Sequence, residues 1–181
     1  AEGSFTVYAH DLALEVLDWV CRKTLPAKTA ARIGQGIRLC ELRDGDCFRA
    51  AGMEGRCFDI GSTKAKQFGF RLTLPGGQTL ACLGDEPYNA RNRAWVEGAD
   101  WLLCEAFCLH ADRDRFKPYE KHHSTALDAG RLAGELGVRH LLLYHTEDTS
   151  LATRRERYAA EAAAEFGGAV CVPDDLERIP L

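Results

Sequence analysis

The sequence predicts an α/β fold in which antiparallel strands precede a parallel βαβαβ region. Apolar, strand-like runs follow one another closely between residues 36 and 83, and from residue 99 they alternate with helical patterns. Alternating strands and helices are typical of parallel sheets with right-handed crossovers, whose sites lie at the carboxyl ends of the strands. A chain of 181 residues fits a single domain, which we assign to residues 1–181.

The first elements are predicted from periodicity. Residues 5–9 are typical of a buried strand, and a helix is expected from about Asp11 to a stop before Pro26. Apolar residues recur at helical spacing along one face of that helix. They are Ala13, Val16, Leu17 and Val20.

Four antiparallel strands are expected in the next region, over residues 37–42, 57–60, 68–74 and 78–83. A tight turn at 75–77 (PGG) is predicted to join the last two as a hairpin.

The parallel region is expected to contain strands at 101–104, 141–144 and 169–172. Thr125 and Asp128 predict a capped helix start between the first two strands. Ala129, Leu132, Ala133 and Leu136 are its expected inner face. A second helix, from about residue 150, is expected to bury Ala159, Ala162, Ala163 and Phe166.

Composition restricts the classes of function. Lys and Arg total 23 against 27 Asp and Glu, so a formal charge of −4 gives no support for a nucleic-acid partner. The eight cysteines include no CxxC pair, which favours free thiols in a reducing compartment. No stretch is long and apolar enough to span a membrane, so a cytoplasmic protein without membrane association is expected.

Asp85 and His145 each follow a predicted strand. Such positions point into the crevice where α/β folds bind ligands. An aspartate there can bridge two cations, and a histidine can bind one. The alternatives are an aspartate that only caps the turn and a histidine that only hydrogen-bonds to the adjoining loop. His123 directly precedes the helix capped by Thr125, where an anion or a developing oxyanion is favoured.

Four short sequence motifs resemble those of a known family: 84–88 (GDEPY), 105–107 (EAF), 123–125 (HST) and 143–145 (LYH). In this order they resemble the C-terminal half of ribonuclease Z-like hydrolases of the metallo-β-lactamase superfamily. The resemblance implies part of an αββα sandwich and a divalent metal, with zinc the first choice and manganese or iron the alternatives.

The resemblance also implies roles for individual residues. Asp85 would be the bridging metal ligand and His145 the last metal histidine. His123 would be the proton donor, assisted by the carboxylate of Glu105. The substrate phosphate would then lie at Ser124 and Thr125, at the start of the capped helix.

The chain departs from the family pattern at three places. The family's first metal motif, HxHxDH, is absent from these residues. Cys104 stands where the family has a histidine, and Gly61 or Thr63 stands where a further metal histidine is expected. A missing N-terminal half or a homodimer partner is therefore expected to complete the site, and the chain alone is expected to be weak or inactive.

Three functions fit these observations. The first is a metal-dependent phosphodiesterase or endoribonuclease of the ribonuclease Z type, acting on a phosphodiester or RNA. The second is a hydrolase of small esters, thioesters or phosphodiesters. The third is a degenerate, non-catalytic interaction module.

Overall fold

The computed structural model describes residues 3–181, and its first two strands form a small sheet of their own. Strands β1 (Phe5–Ala9) and β2 (Ile37–Glu41) pair in parallel, with Phe5 opposite Ile37. Helices α1 (Asp11–Thr24) and α2 (Ala27–Ala30) connect them. The prediction that residues 37–42 belong to the antiparallel region is therefore wrong. A helical crossover returns the chain to the end of the sheet where it started, so the second strand runs in the same direction.

Helix α1 begins and ends where the sequence predicts, but its apolar face is not buried. None of its fourteen residues, all within the described part of the chain, is buried. Trp19 is 62% exposed and Val16 is 53% exposed. Periodicity shows that a face is apolar without showing that another element covers it.

A seven-stranded mixed sheet forms the rest of the molecule, with its strands in chain order from edge to edge. They are β3 (Cys47–Ala50), β4 (Met53–Asp59), β5 (Phe68–Thr73), β6 (Thr79–Cys82), β7 (Trp101–Glu105), β8 (His140–Tyr144) and β9 (Ala169–Cys171). The pairs from β3 to β6 are antiparallel, and the pairs from β6 to β9 are parallel.

The change from antiparallel to parallel pairing confirms the predicted fold class. The hairpin at 75–77 joins β5 to β6, and strands β7 and β8 are parallel neighbours in one sheet. Strand β3 was not predicted, because its four residues alternate weakly and its pairing with β4 decides its structure.

Four further helices follow strand β6: α3 (Arg93–Val96), α4 (Arg113–Phe116), α5 (Ala126–Glu135) and α6 (Arg154–Ala163). Helix α5 starts with the predicted capping box, in which Thr125 and Asp128 bond reciprocally. Helix α6 buries Ala162 as predicted, and Phe166 is buried just beyond its end. Ala163 is exposed instead, and Tyr158 takes the position facing the core.

The main core lies between the sheet and helices α3, α5 and α6. It joins strand residues such as Phe58, Leu102 and Leu141 to helix residues such as Ala133 and Ala162. A second, smaller cluster of buried residues contains Leu74, Leu80 and Trp101. The eight cysteines all lie in described segments and are free thiols. No helix within residues 3–181 has the length and apolarity to cross a membrane.

Candidate active site

The candidate site lies at one edge of the sheet, where parallel strands β6, β7 and β8 end. Asp85 follows β6, Glu105 is the last residue of β7, and His145 directly follows β8. Because neighbouring parallel strands end at the same edge, these three side chains are brought to one region. Gly84 (φ +78°) and His145 (φ +55°) both adopt the left-handed region as the chain turns away from the sheet.

Tyr144 connects two of these strand ends. Its hydroxyl donates a hydrogen bond to the carbonyl of Gly84, reaching past β7 to the end of β6. Burial raises the pKa of the Tyr144 hydroxyl, so the hydroxyl keeps its proton and acts as a donor. The residues before Asp85 and His145 are thus tied together directly.

His123 enters the site from the loop before α5. Its Nδ1 lies 3.2 Å from Oε2 of Glu105, an ion-pair distance, although the two atoms do not have hydrogen-bond geometry. The His123 ring stacks on Phe107 at 5.0 Å between centroids and lies 5.1 Å from the ring of His145. The structure therefore brings the predicted His123, Glu105 and His145 side by side.

Glu105 is the most buried acid of the site, with 0% of its surface exposed. Its Oε1 accepts hydrogen bonds from the backbone N–H of Ser124 at 2.5 Å and from the Ser124 hydroxyl at 2.8 Å. Burial raises the pKa of Glu105 to about 7, and the charge of Asp85 adds to this. The bonds from Ser124 act in the opposite direction, and burial outweighs them.

Lys64 reaches the site from the loop after β4, whose carboxyl end lies at the same edge of the sheet as that of β6. Its Nζ lies 3.3 Å from Nε2 of His123. A lysine ammonium can only donate, so in this contact Nε2 accepts and the ring proton is on Nδ1, facing Glu105. The site thus contains a chain of contacts from Lys64 through His123 to Glu105.

The pKa of His123 is lowered by these surroundings. Burial is the largest cause, followed by the positive charge of Lys64 and the neighbouring His145. Asp85 acts in the opposite direction, since its charge and its backbone favour the imidazolium form. His123 is therefore neutral at pH 7, with Nε2 in contact with Lys64 and Nδ1 facing Glu105 without a hydrogen bond.

Comparison with known proteins begins with a negative result, because no protein-family model matches the chain. Ribonuclease Z of Thermobifida fusca is 31% identical over 128 residues, which are 71% of this chain and 39% of that protein. The solved metallo-β-lactamase fold protein YhfI from Bacillus subtilis superposes with a TM-score of 0.71 at 21% identity. That match covers 96% of this chain and 64% of YhfI. The chain looks like a partial ribonuclease Z-like domain.

The fold of this ribonuclease Z-like chain is the metallo-β-lactamase fold. The short form of human tRNase Z shares it, with a TM-score of 0.64 at 19% identity over 98% of this chain and 69% of that one. The chain spans between 33% and 49% of the length of the curated relatives it matches.

A metal is the cofactor that this family resemblance implies, and the donor set can be tested for it. Asp85 has a buried carboxylate oxygen, Oδ1, that accepts no hydrogen bond from the described residues. However, residues 3–181 contain no group of three or more His, Cys, Asp or Glu side chains arranged to hold a metal ion. A tightly bound zinc takes three or four protein ligands, so the described residues do not fit the metal.

Cys104 and Cys108, on either side of Glu105 in the sequence, do not supply the missing donors. Cys104, which stands where the family has a histidine, is buried, and its Sγ donates to the carbonyl of Glu105 at 3.5 Å. Burial raises the pKa of the Cys104 thiol and raises the pKa of Cys108 to about 12. Both remain thiols at neutral pH, and zinc binds the thiolate form.

The start of α5 offers fewer free donors than the sequence predicts. The backbone N–H groups of Ser124, Thr125 and Leu127 already donate to the carboxylates of Glu105, Asp128 and Glu161. These acids satisfy the amides that would otherwise attract an anion. A substrate phosphate at Ser124 and Thr125 remains a prediction, and it would have to compete with these bonds.

Two features of the site were missed by sequence reasoning. One is Lys64 itself, which lies 59 positions from His123 in sequence. The other is the buried Glu86, whose Oε1 accepts from the Ser62 hydroxyl at 2.6 Å and whose Oε2 accepts from the N–H of Thr63 at 3.2 Å. The only signal in the sequence was that Gly61 or Thr63, close to Lys64, stands where the family has a further metal histidine.

Proposed function

We propose that this chain forms part of a phosphodiester hydrolase of the ribonuclease Z type and that its own residues supply the acid–base side of the site. The buried Glu105 carboxylate, 3.2 Å from His123 at the strand edge, is the observation that carries this proposal. Similarity to the Thermobifida ribonuclease Z and the shared fold of tRNase Z support the substrate class.

In this proposal His123 donates a proton to the leaving oxygen. A phosphodiester carries a negative charge, which would draw the Lys64 ammonium from Nε2 onto a phosphate oxygen. Nε2 would then take up a proton from solvent, and the Glu105 carboxylate beside Nδ1 would stabilise the imidazolium. On transfer of the Nε2 proton to the leaving oxygen, His123 would return to its neutral form. Ser124 would hold Glu105 in place through its two hydrogen bonds.

The metal part of the site would be completed from elsewhere. Asp85 and His145 are the proposed metal ligands in this chain, and the ion expected from the family is zinc, with manganese or iron as alternatives. Two side chains leave an ion mostly hydrated, so further ligands would have to come from a longer form of the protein or from a partner subunit. The chemistry proposed for residues 3–181 is therefore confined to proton transfer and substrate positioning.

The test compares two forms of the protein with bis(p-nitrophenyl) phosphate as substrate. The 181-residue chain alone is expected to bind little zinc and to turn over slowly or not at all. A form extended by the amino-terminal part of the Thermobifida relative is expected to gain both metal and turnover. Stoichiometric zinc and full turnover in the 181-residue chain would show that the metal ligands are misassigned.

The role of His123 is tested in the extended form. Replacing His123→Ala is expected to lower kcat by roughly 10²- to 10⁴-fold, the usual contribution of a positioned general acid, while leaving the metal content unchanged. The neighbouring His122, which is exposed and has φ +56°, gives the control. His122→Asn is expected to keep full turnover, since asparagine tolerates the left-handed region. An unchanged kcat in His123→Ala would rule out proton donation by this residue.

Two other functions are favoured by specific observations. Hydrolysis of small esters, thioesters or phosphodiesters is favoured over RNA by the charge of −4, and RNA binding that does not weaken with salt would support it. A non-catalytic interaction module is favoured by the incomplete ligand set of the described residues and by the exposed apolar face of α1. Lack of turnover in the extended form, with metal supplied, would favour the module.

A further inference from the structure

We propose that the ammonium group of Lys64, beside His123, weakens the binding of divalent cations at this strand edge. The juxtaposition behind this inference is an ammonium group beside His123, in a site that also holds His145 and the unbonded carboxylate oxygen of Asp85. This inference concerns cation binding and goes beyond the proposed hydrolysis.

The position of the ammonium is the first argument. Its Nζ lies 3.3 Å from Nε2 of His123, and the ring of His145 lies 5.1 Å from the His123 ring. A metal ion binds imidazole through the lone pair of an unprotonated ring nitrogen. Because the ammonium donates into the lone pair of Nε2, that nitrogen is occupied and cannot bind a metal while the contact persists.

The charge balance is the second argument. The site contains two acids, Asp85 and the fully buried Glu105, and the charge of Lys64 acts on both Glu105 and His123. A divalent ion at this strand edge would lie near the like charge of the Lys64 ammonium, and the repulsion would lower its affinity.

The anchoring of the Lys64 loop is the third argument. Buried Glu86 accepts a hydrogen bond from the Ser62 hydroxyl and another from the N–H of Thr63. The Ser62 hydroxyl oxygen in turn accepts from the N–H of Lys64 at 3.2 Å. Lys64 is an exposed residue. Its backbone N–H is held by Ser62, which is held in turn by Glu86, so the ammonium group is directed towards His123.

Lys66, two residues further on, provides a matched control. It is an exposed lysine of the same loop, and its Nζ lies 2.6 Å from Asp11 at the start of α1, away from the histidines. Removing its charge changes the net charge of the protein as much as removing that of Lys64 does. It leaves the contact with His123 intact.

The experiment titrates the chelator-treated 181-residue chain with Co²⁺, followed by visible absorption, and with Zn²⁺, followed by calorimetry. Four proteins are compared: the unaltered chain, Lys64→Met, Lys64→Gln and Lys66→Met. Both Lys64 variants are expected to bind either ion at least about tenfold more tightly than the unaltered chain. This is the size expected when a like charge is removed from contact with a divalent ion, even at the dielectric constant of water. Lys66→Met is expected to match the unaltered chain.

The outcomes separate this inference from the proposed hydrolysis, because no turnover is measured. Thermal unfolding of each variant checks that it folds, and the exposure of Lys64 favours tolerance of both changes. A gain in both folded Lys64 variants supports the inference. It is overturned if neither gains affinity, if only the methionine variant does, if Lys66→Met gains as much, or if the unaltered chain already binds one zinc ion tightly.

Discussion

Glu105 shows how burial sets the protonation state of a single residue. Its pKa is raised from 4.5 to about 7 in the folded protein, so the folded state holds a proton that the unfolded state has released. A raised pKa contributes stability that is complete below about pH 4.5 and is lost as pH rises through about 7. The free energy of unfolding should therefore contain a contribution from Glu105 that decreases between about pH 4.5 and about pH 7.

Replacing Glu105→Gln is predicted to remove that term. The free energy of unfolding of the variant, minus that of the unaltered chain, should rise by roughly 2 to 3 kcal/mol between pH 5 and pH 8. Urea unfolding at both values measures it, and taking the difference between the two proteins cancels much of the opposite contribution of His123. A difference that is the same at both pH values would show that Glu105 titrates normally.

Glu86 is predicted to stabilise the protein through the Ser62–Lys64 loop. Glu86→Ala removes both acceptors of the Ser62 hydroxyl and the Thr63 N–H, and should cost about 2 kcal/mol in the free energy of unfolding. Amide exchange over residues 61–66 should also become faster in the variant. The exposed Glu54, which pairs with Arg49, is the control, and its replacement by alanine should cost less than about 1 kcal/mol. Equal costs at both positions would contradict the anchoring role.

At the scale of elements, helices α5 and α6 approach each other closely at Gly130. A methyl group added there would overlap the backbone carbonyl of Ala162, which cannot move without shifting α6. Gly130→Ala should therefore destabilise the protein by roughly 1–3 kcal/mol, although alanine is the better helix former. Gly134→Ala on the same helix meets Glu165 less closely, at 3.2 Å, and should cost less than half as much. Chemical denaturation compares the two, and a stabilised Gly130→Ala would show that the helices can separate freely.

The sequence predicts those elements well whose structure is decided locally. The capping box at Thr125 and the hairpin at 75–77 form as expected, because the residues that determine them are a few positions apart. The direction of β2 was predicted wrongly and the exposure of α1 was not predicted, since each depends on what lies against the element in space. Pairing partners and covering surfaces leave weak marks in local sequence.

The same distinction applies to the site. Strand ends can be located from apolar runs, and neighbouring parallel strands end at one edge, so the proximity of His123, Glu105 and His145 follows from the topology. The contact of Lys64 depends on a loop anchored by Glu86, which is 22 positions further along the chain. No local pattern predicts such a long-range bond.

At the scale of the molecule, α1 gives the surface an apolar patch formed by Leu12, Val16, Trp19 and Val20. Patches of this kind promote association. Trp19→Lys is predicted to change the free energy of unfolding by less than about 0.5 kcal/mol, because the side chain is mostly exposed. It should also lower self-association, measured by sedimentation velocity. Leu151→Lys, at an exposed leucine in the short turn before α6, should leave association unchanged. A large loss of stability in Trp19→Lys would show that the patch is covered in solution.

The hydrogen bond from Tyr144 to the carbonyl of Gly84 has a consequence for how such a protein can diverge. It fixes the spacing between the turn that carries Asp85 and the turn that carries His145 from within the sheet edge. The loops beyond these turns are therefore not needed to hold the two side chains in place. They are free to change in length and composition, and with them the shape of the molecules admitted. A sheet edge fixed by such a hydrogen bond can accept new loops while the distance between Asp85 and His145 stays constant.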